Sequence, residues 1–428
     1  MKESFFRQFV FFALLVWLPT HSSHAFFGAR QTEAVIRGSP YFFIRTSEVP
    51  SGTEINRLIR GHLQLFGGPF RSSSSIAFFS DAHILSRRAQ SSTPGTIRID
   101  YSFEVLGEVS NIWEDGPYPL SMPLWPLEIE TKANGKCWQK YANHPGKAFW
   151  YYWAPLTGCN LLENTDYVNL PLTFERKTNT QQTFPEYDRL LRKTDNGSTL
   201  RFDIFGTFEE YDDDDWALSA PSSGAMLGRD LKKRLLKRQF KSHVWTEDEI
   251  KSIYPGKEKN PYVEEFYLSQ GNGVRIVVRF ILAMVGFERN SSGFRHFYND
   301  ALANSSVIYY NGHSGVGRNL NLALLKEKTN LPFSLDPSYQ LILLYGCYSY
   351  RYYAKDYFLA KEKVSSKGEL DMITTATEGG FAIDSSGVIL WIDAITSYFA
   401  TGKKASYQEL IKTSPFLDGV VGDEDNAP

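Results

Sequence analysis

Two hydrophobic rhythms divide the chain. From Phe26 to about Leu227 apolar residues alternate with polar ones in short runs, seen at Ile97, Ile99, Tyr101, Phe103 and Val105 and again at Leu200, Phe202 and Ile204. A period of two puts the apolar side chains of such a run on one face of a strand. Turn chemistry such as Asp195-Asn196-Gly197 separates the runs. One amphipathic helix is expected near the start, at about Glu54 to Phe66. This half, residues 26–227, reads as a β-rich domain of no assigned type.

From Gly273 the rhythm changes. Arg275 to Ala283, "RIVVRFILA", is a near-continuous apolar run, as expected of a strand buried on both faces of a parallel sheet. Phe294, Phe297, Tyr298, Ala301 and Leu302 then repeat with helical spacing, and Ser306 to Tyr310 returns to a strand. A helix at Asn319 to Lys328, a strand at Tyr339 to Tyr345 and a helical pattern from Ser349 towards Lys361 come next. A strand at Met372 to Ala376 and a helix at Val388 to Ala400, stopped by Gly402, complete the series. Strands alternating with helices predict an α/β doubly wound parallel sheet over 273–415, followed by a tail, 416–428. Between the two halves, the basic stretch Arg229 to Lys241, "RDLKKRLLKRQFK", reads as a solvated helix within a linker, 228–272. The acidic run Asp212 to Asp215 lacks the spaced ligands of a calcium loop and reads as an exposed loop.

Composition narrows this picture. A chain of 428 residues suits two domains, and a formal net charge of -2 offers no basic field for nucleic acid. Lys2 and Arg7 precede the apolar run Phe9 to Leu18, and Ser23-His24-Ala25 follows as a small-x-small cleavage site. Residues 1–25 therefore read as a removable signal peptide, with no membrane span after its removal. The protein is expected to be exported, to the periplasm, the cell surface or the medium. Export places the three cysteines in an oxidising setting. Cys137 and Cys159 flank the aromatic run "FWYYW" and are the expected disulfide, which leaves Cys347 over.

Candidate chemistry starts at Val307 to Gly317, "VIYYNGHSGVG". A serine nucleophile elbow needs G-x-S-x-G followed downstream by an acid and a histidine. Here the second Gly falls one position late, and the histidines stand at 21, 24, 62, 83, 144, 243, 296 and 313, none after Ser314. That triad cannot be completed in its usual order. His313 and Cys347, by contrast, each follow the carboxyl end of an expected strand, one crossover apart, where doubly wound sheets bind ligands. Cys347 also precedes a helix, whose N-terminal partial charge favours the thiolate. No further His or Cys lies near to complete a metal set, and no cofactor is expected.

"SVIYYNGHSG" followed by "YQLILLYGCYS" resembles the two-block signature of the clan CD cysteine peptidases, the caspase, gingipain, legumain and clostripain group. The resemblance covers about Gly273 to Thr413 and implies a caspase-like fold there. It implies His313 as general base, Cys347 as nucleophile, Gly346 as the small residue before it, and a peptide or protein as substrate. The clan has Gly directly after the His, where its N–H helps hold the oxyanion; here Ser314 stands in that place and Gly315 one later. The alternative reading is an inactive caspase-like fold with a binding or structural role outside the cytoplasm. Glu378 and Asp384, in the loop "TEGGFAIDSSG", are candidates to select Arg or Lys by charge. A separate binding role would rest on the aromatics of "AFWYYWAP", including Trp150 and Trp153.

Overall fold

The structure, a computed structural model, describes residues 24–26, 31–64, 76–78, 82–110, 118–133, 138–141, 150–153, 160–176, 183–194, 197–208, 218–219, 222–256, 260–271, 273–286, 290–315, 317–329, 334–347, 349–375, 385–412 and 419–422. Cys137, Cys159, Asp212 to Asp215, Glu378 and Asp384 lie outside the described residues. So do residues 1–23, which hold most of the expected signal peptide. No described helix is long and apolar enough to cross a membrane.

The expected alternation holds in the first half. Thr96–Ser110 is one long strand whose Ile97, Ile99, Tyr101, Phe103 and Val105 are all buried. It pairs antiparallel with Gln31–Gly38, Tyr41–Arg45, Ile76–Phe78 and His83–Thr93, and Tyr167–Arg176 and Tyr118–Pro123 extend the sheet to seven strands. The helix Gly52–Gln64 lays Ile55, Leu58 and Ile59 on this sheet. The aromatic run forms Trp150–Trp153, paired antiparallel with Trp138–Tyr141.

A second sheet of ten strands has a parallel centre. In spatial order its core is Leu370–Thr375, Gln340–Tyr345, Val307–Asn311, Gly197–Phe208 and Val274–Met284, every neighbouring pair parallel. Antiparallel strands flank this core, with Tyr262–Ser269 and Lys241–Val244 on one side and Gly419–Gly422 and His24–Phe26 on the other. Helices cover both faces. Ser223–Lys237, Ser385–Thr401 and Tyr407–Lys412 pack on one, and Ser292–Asn304, Leu322–Thr329 and Lys355–Glu362 on the other. The expectation of an α/β unit with a mainly parallel sheet thus holds, next to a β-rich unit.

Three expected boundaries are corrected. Gly197–Phe208, assigned above to the β-rich half, is the middle strand of the parallel sheet. The basic helix is no linker, because Leu231 and Leu235 are fully buried on the sheet and only its far face carries the charges. The tail is not free of structure either, since Gly419–Gly422 pairs with Leu370–Thr375 and with His24–Phe26. The α/β unit therefore begins by about Thr183, whose carbonyl accepts from Tyr407 N–H.

Numbered by chain position, the five parallel strands lie in the order 2-1-3-4-5, an order in which the direction of winding reverses between the first and third. Ligands of open α/β sheets bind outside the strand carboxyl ends at such a reversal. Here that point lies between Phe208 and Asn311.

Candidate functional site

Val307–Asn311 is buried from Val307 to Tyr310 and half-buried at Asn311, and its parallel partner Gln340–Tyr345 is buried at every position. Pairing runs from Val307 with Leu341 to Asn311 with Tyr345, a constant offset of 34. One more bond, Gly312 N–H to the Tyr345 carbonyl at 3.1 Å, carries the register beyond the strand ends. That offset sets Gly312 beside Gly346, on strands about 4.8 Å apart, and His313 and Cys347 are the next residue of each turn. Both His313 and Cys347 are partly exposed, and Cys347 carries a thiol.

The two turns touch. A Cβ added at Gly346 would lie 2.8 Å from the Gly312 carbonyl oxygen and 2.8 Å from Ser314 Oγ. Gly346 is thus required by the closeness of the histidine turn. Gly346→Ala is expected to lose about 1–3 kcal/mol of stability, because a backbone oxygen must move. Urea unfolding would measure that loss, and a parallel fall in the alkylation rate of Cys347 would show the turns moving apart.

The carbonyls of the histidine turn are pulled into the protein. His313 O accepts from Tyr310 OH at 2.6 Å and from Asn319 Nδ2 at 2.7 Å. Ser314 O accepts from Tyr353 OH at 2.7 Å, from Gly317 N–H at 3.0 Å and from Asn319 N–H at 3.2 Å. Burial, together with the neighbouring phenols Tyr353 and Tyr298, holds the Tyr310 hydroxyl well above the usual range, so it stays a donor. The charge of Cys347 pushes it the same way, so the sulfur lies within electrostatic reach of that ring.

A trans peptide points its N–H opposite its C=O, and no peptide bond here is cis. With both carbonyls turned inward, the N–H groups of Ser314 and Gly315 face the other way. Ser314 N lies 3.7 Å from the Cβ position at residue 346, on the cysteine side. Among the described residues, no acceptor takes either N–H. Gly315 allows the turn, with a φ of 55° and a Cβ position only 2.6 Å from Asn319 Oδ1. The Ser314 hydroxyl is buried against Gly346 and meets no hydrogen-bond partner among the described residues. It is poorly placed to be a nucleophile.

The cysteine turn is anchored from the next strand. Gly346 O accepts from Thr375 Oγ1 and from Ser349 N–H, while Ser349 Oγ donates to Leu344 O at 2.7 Å and receives Thr375 N–H at 2.9 Å. The chain then enters a helical segment that is π-wound at Tyr350–Ala354 and becomes an α-helix at Lys355–Glu362. Widened helical turns of this kind occur often at functional sites.

The structure therefore brings the turn of His313, Ser314 and Gly315 against the turn of Gly346 and Cys347, with the contact made by Gly312 and Ser314 on Gly346. Sequence reasoning missed Tyr310, Asn319, Ser349, Tyr353 and Thr375, which hold the turns. Tyr353 and Tyr357, four apart on one helical face, were the one local signal. Asn319 and Thr375 offered none, because their partners lie on other elements. Among the described residues, no group of three or more His, Cys, Asp or Glu side chains is arranged to hold a metal ion. No protein-family model matches the chain, and no curated protein matches it.

Proposed function

We propose that the chain is an exported cysteine endopeptidase, with Cys347 as nucleophile and His313 as general base, and that its α/β half has the caspase-like fold of clan CD. The contact of two strand-end turns at the carboxyl edge of the sheet, next to its reversal point, carries this reading. It brings the turn that carries His313 against the turn that carries Cys347 and leaves two unclaimed N–H groups, from Ser314 and Gly315, on the histidine turn, which supports a shared His–Cys site. Ser314 in place of the usual glycine fits, because the donor is its backbone N–H and Gly315 supplies the left-handed conformation.

In the reaction, His313 takes the proton of Cys347, and the thiolate attacks the peptide carbonyl carbon. A C–S bond forms, and the electron pair of the carbonyl moves to oxygen, where the two N–H groups receive it. Collapse breaks the C–N bond as His313 gives its proton to the leaving amine. Water, deprotonated by His313, then attacks the thioester and releases the acid and the thiolate. The start of the following helix favours the thiolate throughout. Glu378 and Asp384 would select Arg or Lys before the cut bond.

A peptidyl acyloxymethyl ketone is expected to alkylate Cys347 in the intact protein, which peptide mass spectrometry would locate. Fluorogenic peptides with Arg, Lys, Asp or Asn before the cleaved bond would read the specificity. Alkylation only at other residues, with hydrolysis undiminished in Cys347→Ala, would remove the reading.

A further inference from the structure

The helical segment that follows Cys347 carries Tyr353 and, one turn later, Tyr357, both buried. Both phenols reach the loop that follows His313. Tyr353 OH donates to Ser314 O at 2.7 Å, and Tyr357 OH to Leu320 O at 3.0 Å. Burial holds both hydroxyls well above their usual range, so both remain donors. The two bonds look alike, yet they act on different peptides.

Ser314 O belongs to the peptide whose N–H is that of Gly315, and in a trans peptide the two point in opposite directions. Ser314 O also accepts from Gly317 N–H at 3.0 Å and Asn319 N–H at 3.2 Å, but these donors sit in the same loop and move with it. Tyr353 adds a hold from another element. It lies in the π-wound stretch Tyr350–Ala354, between the cysteine turn and the regular helix Lys355–Glu362. Its phenol therefore ties the Ser314–Gly315 peptide to the segment that carries the thiol. Tyr357 fastens the far end of the loop instead, at Leu320, and bonds Tyr298 OH as well.

We infer that Tyr353 is a positioning residue for the reaction at Cys347, its hydroxyl fixing the direction in which Gly315 N–H meets the oxygen of the attacked carbonyl. The inference rests on the His313–Cys347 reading above. Charge develops on that oxygen in the transition state, so a donor held in place beforehand acts there rather than on substrate binding. The segment that follows the nucleophile thus also sets a donor that its chemistry needs.

Tyr353→Phe leaves Ser314 O with its two backbone donors, so the variant should fold. It is expected to lower kcat for the fluorogenic peptides roughly tenfold while KM holds, the pattern of an interaction made only in the transition state. A peptide aldehyde of the same sequence gives a second readout. Its adduct forms a C–S bond from Cys347 as the carbonyl electron pair moves to oxygen, so its affinity should fall by a similar factor. Alkylation of Cys347 by iodoacetamide displaces iodide and develops no such oxyanion, so its rate should hold. Tyr357→Phe removes an equally buried phenol from the same helical face; it should lose stability in urea yet keep kcat and aldehyde affinity. Equal falls of kcat in the two variants, undiminished kcat in Tyr353→Phe, or a matching fall in its iodoacetamide rate would overturn the inference. A native protein that neither hydrolyses peptides nor binds the aldehyde would instead remove the peptidase reading, and the role of Tyr353 with it.

Discussion

Cys347→Ala is expected to abolish peptide hydrolysis and alkylation by the acyloxymethyl ketone while leaving the fold intact. The side chain is partly exposed at a strand end, so trimming it to a methyl opens no core cavity. Removing a nucleophile that works as a unit with its base costs roughly 10^3-fold or more. His313→Gln should fall by a similar factor, and the double variant should be scarcely worse than either single one. Hydrolysis rates, with circular dichroism to confirm folding, would check this. Additive losses in the double variant would count against a shared His–Cys step, and full activity in Cys347→Ala would end the proposal.

Acid is expected to unfold the antiparallel sheet through His62. This ring is buried beneath the helix Gly52–Gln64, with Nδ1 2.9 Å from Tyr101 OH and Nε2 2.9 Å from the Pro123 carbonyl. Burial holds Tyr101 well above its ordinary range, so it remains a donor. The neutral ring thus has both nitrogens satisfied, with Nε2 donating to the carbonyl and Nδ1 accepting from the phenol. Burial pulls the imidazole down to about 3 from its ordinary 6.5, against the opposing pull of the Pro123 carbonyl. A depressed value in the folded state means that its contribution is complete above pH 6.5. It is lost as the pH falls from there through about 3. The slope is about 1.4 kcal/mol per pH unit, or about 4–5 kcal/mol over the window. Urea unfolding of this half at pH 7, 5.5 and 4 would measure the slope, and His62→Gln should flatten it. An equal slope in the variant would assign the acid lability elsewhere.

The reading of Leu200, Phe202 and Ile204 shows where local pattern misleads. Their alternation with Arg201 and Asp203 looks like a strand with one wet face, yet Asp203 is completely buried. Arg279 meets it with two bonds of 2.7 and 2.8 Å, Arg201 adds a third at 3.0 Å, and Ser305 donates as well. A buried charge is tolerated only when it is paired in this way. Its main partner lies 76 residues away, so a period-two pattern assigned a central strand of this sheet to the β-rich half. The basic helix failed for a related reason. Its leucines were visible on one side, at Leu231, Leu235 and Leu236, but nothing local says that this side meets a sheet, where Leu231 and Leu235 are fully buried.

Where packing is apolar and local, the sequence was a sufficient guide. Phe294, Phe297, Tyr298, Ala301 and Leu302 are all fully buried on one helix face, as their spacing requires. The strands ending before His313 and Cys347 lie close to their expected limits, because long buried apolar runs have few other ways to fold. The sequence by itself therefore determined that a histidine and a cysteine each stand at the carboxyl end of a buried strand. It also removed the serine triad. Only the tertiary structure decided that these strands are neighbours in register, that Gly346 rests on the Gly312 carbonyl, and that Tyr310, Asn319 and Tyr353 turn two carbonyls inward and two N–H groups out. Those decisions depend on hydrogen bonds between residues on separate elements, and no periodicity along the chain records them.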